Sequence, residues 1–214
     1  MAQTEETVNH PLFARFYLRM ASSRKARGED EYRRRLLEGL TGRVIEVGAG
    51  SGLNFPCYPD SVEQVVAVEP EPLLRDAALE EAAEARVSVE VVDGVAGRLP
   101  AEDKSCDAGI ASLVLCSVPD QEQALAELWR VIRPGGELRF YEHVVAKPKL
   151  AAALQRMADA TFWPRVAGGC HLTRDTGKAI ADAGFVIESE DRFSFTPGAP
   201  VPPIPHILGV ARRP

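Results

Sequence analysis

Residues 43–52 read Arg43-Val44-Ile45-Glu46-Val47-Gly48-Ala49-Gly50-Ser51-Gly52. Val44, Ile45 and Val47 form the short β-branched run of a strand buried on both faces, and three glycines then end it in a tight turn. Open α/β sheets bind ligands outside the carboxyl ends of their strands, where strand order reverses, and this turn occupies such a place. Two phosphate readings of it fail. A dinucleotide fingerprint starting at Gly48 needs a small residue at position 53, which is Leu53. A Walker loop needs Gly-Lys-Ser/Thr at its end, and the turn holds no lysine.

Outward from this turn the chain alternates. Gln64–Glu69, Val87–Val92, Cys106–Leu113 and Glu137–Tyr141 read as further strands. Helices are expected over 72–85 and after Asp120, a suitable N-cap, with Ala124, Leu125, Leu128, Val131 and Ile132 on the apolar stripe. Arg133-Pro134-Gly135-Gly136 reads as a stop and turn. Strands alternating with helices over 43–141 imply right-handed crossovers and a parallel sheet. Helices near 148–160 and 174–183 follow, then strands over 185–193 and 207–211, joined by a Pro-rich connection, 197–205, without a helix. These two closing strands are expected as an antiparallel pair at one edge. Ahead of the turn, Leu12, Phe13, Phe16, Tyr17 and Met20 have helical spacing, and a second helix is expected over about 29–39.

Composition narrows the function classes. The 214 residues have 45% hydrophobic and 26% charged side chains, ordinary for one globular domain. Net charge is −6, which argues against a nucleic-acid partner. Mean hydropathy is −0.12 and no uncharged apolar run approaches a membrane span. The start, Met1 to Thr7, has no basic or apolar leader, and the four cysteines (57, 106, 116, 170) form no CxxC pair; both fit a reducing cytoplasm. The cysteines and four histidines are scattered along the chain, so no metal-ligating residues are assigned. Residues 9–43 hold nine basic residues against four acids. That block reads either as a solvated helix face or as an attraction for an anionic substrate or membrane surface.

With phosphate readings excluded, the turn leaves Glu46 in its strand and Glu69 at the end of the next. A carboxylate at Glu69 can accept hydrogen bonds from two ribose hydroxyls. A ribose ligand without a pyrophosphate contact points to S-adenosylmethionine.

On these residues the chain resembles the class I S-adenosylmethionine-dependent methyltransferases, with Val44–Gly52 as the first motif and Arg130–Gly136 as the turn before the fifth strand. It is similar in particular to the methyltransferase-like 7 proteins, the alkyl thiol S-methyltransferases. The likeness rests on Gly52-Leu53-Asn54-Phe55, Leu113–Val118, Glu142-His143-Val144, Gly169–Arg174 and Pro205-His206-Ile207 with Gly209. The resemblance covers about 41–214. It implies a Rossmann-like seven-stranded, mostly parallel sheet with helices on both faces and one antiparallel strand, preceded by a helical segment, 1–40, as lid or substrate cap. It implies S-adenosylmethionine as cofactor, S-adenosylhomocysteine as product and a small-molecule acceptor, with thiol sulfur ahead of O-, N- or C-methylation and ahead of non-catalytic binding. Cofactor contacts are expected from Glu46, Gly48, Ala49, Gly50, Gly52, Asn54, Glu69, Pro70, Asp93, Gly94, Val95, Leu113 and Cys116. Those relatives carry an apolar N-terminal anchor where this chain has only the 11–20 helix with Arg15 and Arg19, which leaves room for peripheral membrane contact only. They carry an acid near position 95, here Val95, so adenine contact there must come from backbone or from Asp93.

Methyl transfer from a sulfonium asks the protein mainly to align the nucleophile and exclude water. For a thiol the thiolate is the nucleophile and its pKa of about 8.5 makes a strong base unnecessary. His143, His171 and Arg174 are the candidate catalytic residues, as a cationic neighbourhood that raises the thiolate fraction. Each has a structural alternative: backbone satisfaction for His143, capping or ion pairing for the other two. Cys116 and Cys170 read as packing residues. Phe13, Phe16, Tyr17, Phe162 and Trp163 are candidates to roof an apolar acceptor pocket.

Overall fold

The computed structural model describes residues 10–25, 29–196 and 203–214, with residues 20–25 as backbone only. The strand before the glycine turn, β1 (Gly42–Val47), is central, and its last four residues are buried. Ile45 and Val47 face one apolar cluster while Val44 packs into a second on the opposite face. Two covered faces remove the need for polar alternation, hence the near-continuous apolar run.

Six further strands are β2 (Val62–Val68), β3 (Ser88–Val92), β4 (Cys106–Ser112), β5 (Ile132–His143), β6 (Val186–Phe195) and β7 (Ile204–Arg212). Their order is β3-β2-β1-β4-β5-β7-β6. β1 pairs in parallel with both β2 and β4, so strand order reverses at β1 and a crevice opens at the carboxyl ends of β1 and β4. Among the described residues β7 alone runs antiparallel, against β5 on one side and β6 on the other.

The closing strands therefore pair as expected, but β7 is inserted inside the sheet and β6 takes the edge. Burial explains the order: most of β7 is buried, while β6 is largely exposed. Gly209 lets β7 enter, since a Cβ there would lie 2.2 Å from the Ser189 carbonyl oxygen. Ile204 and Pro205 already belong to β7, and 197–202 of the Pro-rich connection lie outside the described residues. The expected turn at Arg133–Gly136 is a bulge within β5: Ile132 pairs with Cys106, and the register then slips before Glu137 meets Ala108.

Helices cover both faces. α1 (Pro11–Lys25) and α2 (Glu29–Leu37) precede the sheet, and α3 (Pro72–Ala83) and α4 (Gln121–Val131) are crossovers. Asp120 caps α4 by accepting from the Gln123 N–H at 2.9 Å, and Ala124, Leu125, Leu128 and Val131 are its buried stripe. α5 (Lys149–Thr161), α6 (Trp163–Val166) and α7 (Thr176–Asp182) lie between β5 and β6. Tyr32 anchors α2 by stacking on Phe193, centroids 4.3 Å apart, and on Tyr141. In the basic block, Arg33 pairs with Glu29, Arg34 with Glu31 and Arg35 with Asp191. Among the described residues no helix is long and apolar enough to cross a membrane.

Candidate active site

The glycine turn spends its own donors on the scaffold. The N–H groups of Gly48 and Ala49 both donate to the Val68 carbonyl, and that of Gly50 donates to Glu69 Oε2 at 2.7 Å. Donors committed in this way cannot cradle a phosphate, the physical counterpart of the missing lysine. Gly48 and Gly50 have φ of +65° and +59°, where glycine is favoured, and a Cβ on Gly48 would sit 2.4 Å from Val114.

Glu69 is the acid of the crevice. Its Oε1 accepts from the Glu71 N–H at 2.9 Å, so each carboxylate oxygen holds one backbone donor and keeps acceptor capacity. Burial dominates and pushes its carboxyl up to about 7, opposed by those two hydrogen bonds. It lines a cleft with Gly48, Gly50, Pro70, Gly94, Val95 and Leu113, all expected from sequence. The other expected contacts, Glu46, Ala49, Gly52, Asn54, Asp93 and Cys116, stand outside this lining. Asp93 is exposed and pairs with Arg75 at 3.0 Å.

Behind the turn, Glu46 is buried and accepts from Asn54 Nδ2 and the Tyr58 hydroxyl, each at 2.7 Å. Burial raises its carboxyl, and these two donors oppose the rise. Asn54 Oδ1 in turn accepts from Arg33 Nη1 at 2.8 Å, and Arg33 pairs with Glu29 at 3.6 Å. Arg33 is 4% exposed yet lines the cleft. Sequence reasoning missed it, because one arginine in a basic block of nine carries no sign that it turns inward.

The facing wall is the loop after β4. Leu113 has φ of +58°, strained for a side-chain-bearing residue. Buried Glu142 holds the loop by accepting from the N–H groups of Val114, Leu115 and Cys116 at 2.9, 2.8 and 3.1 Å. Arg174 clamps the same loop by donating to the carbonyls of Leu115 and Val118. Phe13 and Tyr17 of α1 also line the cleft, Tyr17 over Gly50 and Phe13 over Gly168. The His10 N–H donates to Glu71 Oε2 at 2.6 Å and ties the start of α1 to the start of α3. Phe16 and Phe162 are exposed, and Trp163 packs on buried cysteines.

Side chains of the three candidate catalytic residues stand outside the lining. Arg174 is a loop strut. His171 is half-buried, its ring 3.9 Å from Asp159, while its N–H donates to the Cys116 carbonyl. His143 Nδ1 lies 3.6 Å from Cys116 Sγ and 3.4 Å from Cys170 Sγ. The sulfur–sulfur hydrogen bond to Cys116 lowers the Cys170 thiol against the effect of burial, and His143 acts in the same direction. These three residues are 27 positions apart in turn, which is why spacing along the chain showed no cluster.

The sheet order, the reversal at β1 and an acid-lined, phosphate-excluding cleft define a class I S-adenosylmethionine-dependent methyltransferase. Residues 45–140 match the family described as methyltransferase domain. The mouse (Mus musculus) thiol S-methyltransferase TMT1B is 35% identical over 207 residues, spanning 92% of this chain and 84% of that one. Human (Homo sapiens) TMT1B is 35% identical over 187 residues, spanning 82% and 73%. Among solved structures, a geranyl diphosphate methyltransferase in complex with S-adenosylmethionine has the same fold, with a TM-score of 0.66 at 15% identity over 87% of this chain and 85% of that one. The chain belongs to the family of the thiol S-methyltransferases TMT1A and TMT1B.

Proposed function

We propose that the chain methylates the sulfur of a small, largely apolar thiol, and that the cleft under α1 is where it does so. One observation carries the thiol reading: among the described residues, every carboxylate lining the cleft already accepts from a backbone N–H. Glu69 holds two backbone N–H groups, Glu71 the N–H of His10, and Asp120 caps α4. A hydroxyl or carbon acid needs a base, and beside these carboxylates the one imidazole of the described lining is that of His10; a thiol ionises near neutral pH unaided. The names of the mouse and human relatives support the same acceptor.

S-adenosylmethionine, when bound, supplies a methyl group already activated on a sulfonium. Glu69 accepts the ribose hydroxyls, and the backbone at Gly94 and Val95 flanks the adenine. Arg33, the buried cation of the cleft, pairs with the amino-acid carboxylate, and Glu46 positions it through Asn54. Gly48 and Gly50 keep the turn free of side chains where the ligand approaches. Glu142 and Arg174 position the wall at 113–118 against which the acceptor lies, and His143 and His171 brace that wall from behind. α1, within the 1–40 segment, is the cap: Phe13 and Tyr17 cover the acceptor and exclude water, which favours displacement by a desolvated thiolate.

Four free cysteines fit a reducing cytoplasm. Exposed Leu150, Leu154 and Met157 on α5, with Leu12 and Phe16 on α1, support weak peripheral membrane contact, tested by sedimentation with vesicles.

The deciding assay is S-adenosylhomocysteine release with matched thiol, phenol, amine and carboxylate acceptors. Turnover confined to thiols is expected. Turnover on phenols or amines and none on thiols overturns the acceptor while leaving the transferase standing.

A further inference from the structure

Cys116 follows β4, His143 ends β5 and Cys170 follows α6, and the fold closes them into a triangle. Its sides are 3.7 Å between the sulfurs and 3.6 and 3.4 Å from each sulfur to His143 Nδ1. A tetrahedral ion with metal–sulfur bonds of about 2.3 Å and metal–nitrogen bonds of about 2.05 Å needs sides of about 3.8 Å and 3.6 Å. The triangle therefore has the size of three corners of such a site. Both thiols are free, and their separation is far beyond a disulfide bond.

Independent devices hold each corner. Cys116 is fixed by its N–H on Glu142 and its carbonyl on the His171 N–H at 2.8 Å. His143 pairs in register with His206 of β7. Gly169 lets the Cys170 turn approach, since a Cβ there would lie 2.9 Å from the Ser117 carbonyl oxygen. Leu172, Ile204 and Trp163 pack around the two sulfurs and keep the pocket apolar.

We propose that Cys116, His143 and Cys170 form a three-ligand site for zinc, which pins the loop after β4 to the turn after α6. Two thiolates and an imidazole select a thiophilic ion over magnesium or calcium. Both sulfurs bind as thiolates, and the dication with two thiolates is neutral, the charge state a buried apolar pocket tolerates. Three protein ligands leave the fourth position to water or another exogenous donor. The site stands independently of which acceptor the cleft takes.

The test uses the full chain, kept under a phosphine reductant, loaded with zinc sulfate and desalted, with metal content read by plasma mass spectrometry. About one zinc per chain is expected, falling about ten-fold in Cys116→Ser/Cys170→Ser. Cobalt(II) loaded into the wild-type chain provides a readout that needs no variant to fold. A thiolate-to-cobalt charge-transfer band with intense tetrahedral bands supports the site; a weak octahedral spectrum overturns it. So does a desalted chain that is metal-free with both thiols titrating as free. Equal zinc content in wild type and the double variant, or a Cys116–Cys170 disulfide formed under the reductant, also overturns it.

Discussion

Gly50 donates its backbone N–H to Glu69 Oε2 at 2.7 Å, so the glycine turn and the acid of the next strand are one hydrogen-bonded unit. Burial puts that carboxyl at about 7, well above its ordinary 4.5. The ribose-accepting form is the carboxylate, so binding below pH 7 first expels a proton. Affinity for S-adenosylhomocysteine is expected to rise with pH and level off above 7, being about ten-fold weaker at pH 6 than at pH 8. The stability of the free protein has the opposite sign. A raised carboxyl contributes its stability fully below 4.5 and loses it as pH rises through 7. Calorimetry across this range checks the first, and thermal melts of the free protein check the second. Glu69→Gln should flatten both profiles; a flat affinity profile in the wild type would refute the ribose assignment.

Arg33 is the residue proposed for the amino-acid end of the same ligand. Arg33→Met leaves Asn54 Oδ1 and buried Glu29 without their partner, and removing one member of a buried pair costs about 3–5 kcal/mol. Affinity for S-adenosylhomocysteine should fall about ten-fold or more, because a charge-assisted pair is lost. For 5′-methylthioadenosine, which has no amino-acid carboxylate, it should change less than about two-fold. Equal losses for both ligands would make Arg33 a structural residue only.

How much of this was legible in sequence depended on whether the signal was local. The β1 turn, the Asp120 cap and the α4 stripe are local, and the structure has them where the residues put them, except that Ile132, expected on the stripe, opens β5. Glu69 was legible because a strand end and an acid coincide. The order of β6 and β7 was not, since two adjacent strands pair whichever of them faces β5; burial of β7 decides it. Arg33 and Glu142 were invisible as site residues because their partners lie 21 to 79 and 26 to 28 positions away in the chain. The same distance in sequence hid the Cys116–His143–Cys170 triangle.

Gly48 and Gly39 separate strain from collision. Both have positive φ, +65° and +76°, but a Cβ at Gly39 meets nothing within 4 Å while one at Gly48 meets Val114 at 2.4 Å. Gly39→Ala should therefore cost only the left-handed backbone penalty of about 1–2 kcal/mol and leave kcat/KM unchanged. Gly48→Ala should cost more and lower kcat/KM at least about ten-fold, because Val114 must move into the cleft. At this size each kcal/mol lowers Tm by about 2–4 °C, so melts alongside turnover resolve the two effects. Equal kcat/KM in both variants would remove Val114 from the acceptor wall.

Glu142 tests whether the loop after β4 positions the acceptor. Its Oε1 takes the N–H groups of Val114 and Leu115, and its Oε2 takes that of Cys116. In Glu142→Gln the amide oxygen keeps the first two, but the amide NH2 then faces the Cys116 N–H, donor against donor. That loss of one buried hydrogen bond and its charge assistance costs about 1–3 kcal/mol. The strained Leu113 backbone survives only while its surroundings over-determine it, so the loop should relax locally. The cofactor contacts assigned to Glu69 and Arg33 lie on other elements and are untouched. The acceptor KM should therefore rise and kcat fall, with affinity for S-adenosylhomocysteine unchanged within about two-fold. A variant with weakened cofactor binding and unaltered acceptor kinetics would place the loop on the cofactor side and reverse the assignment of the two walls.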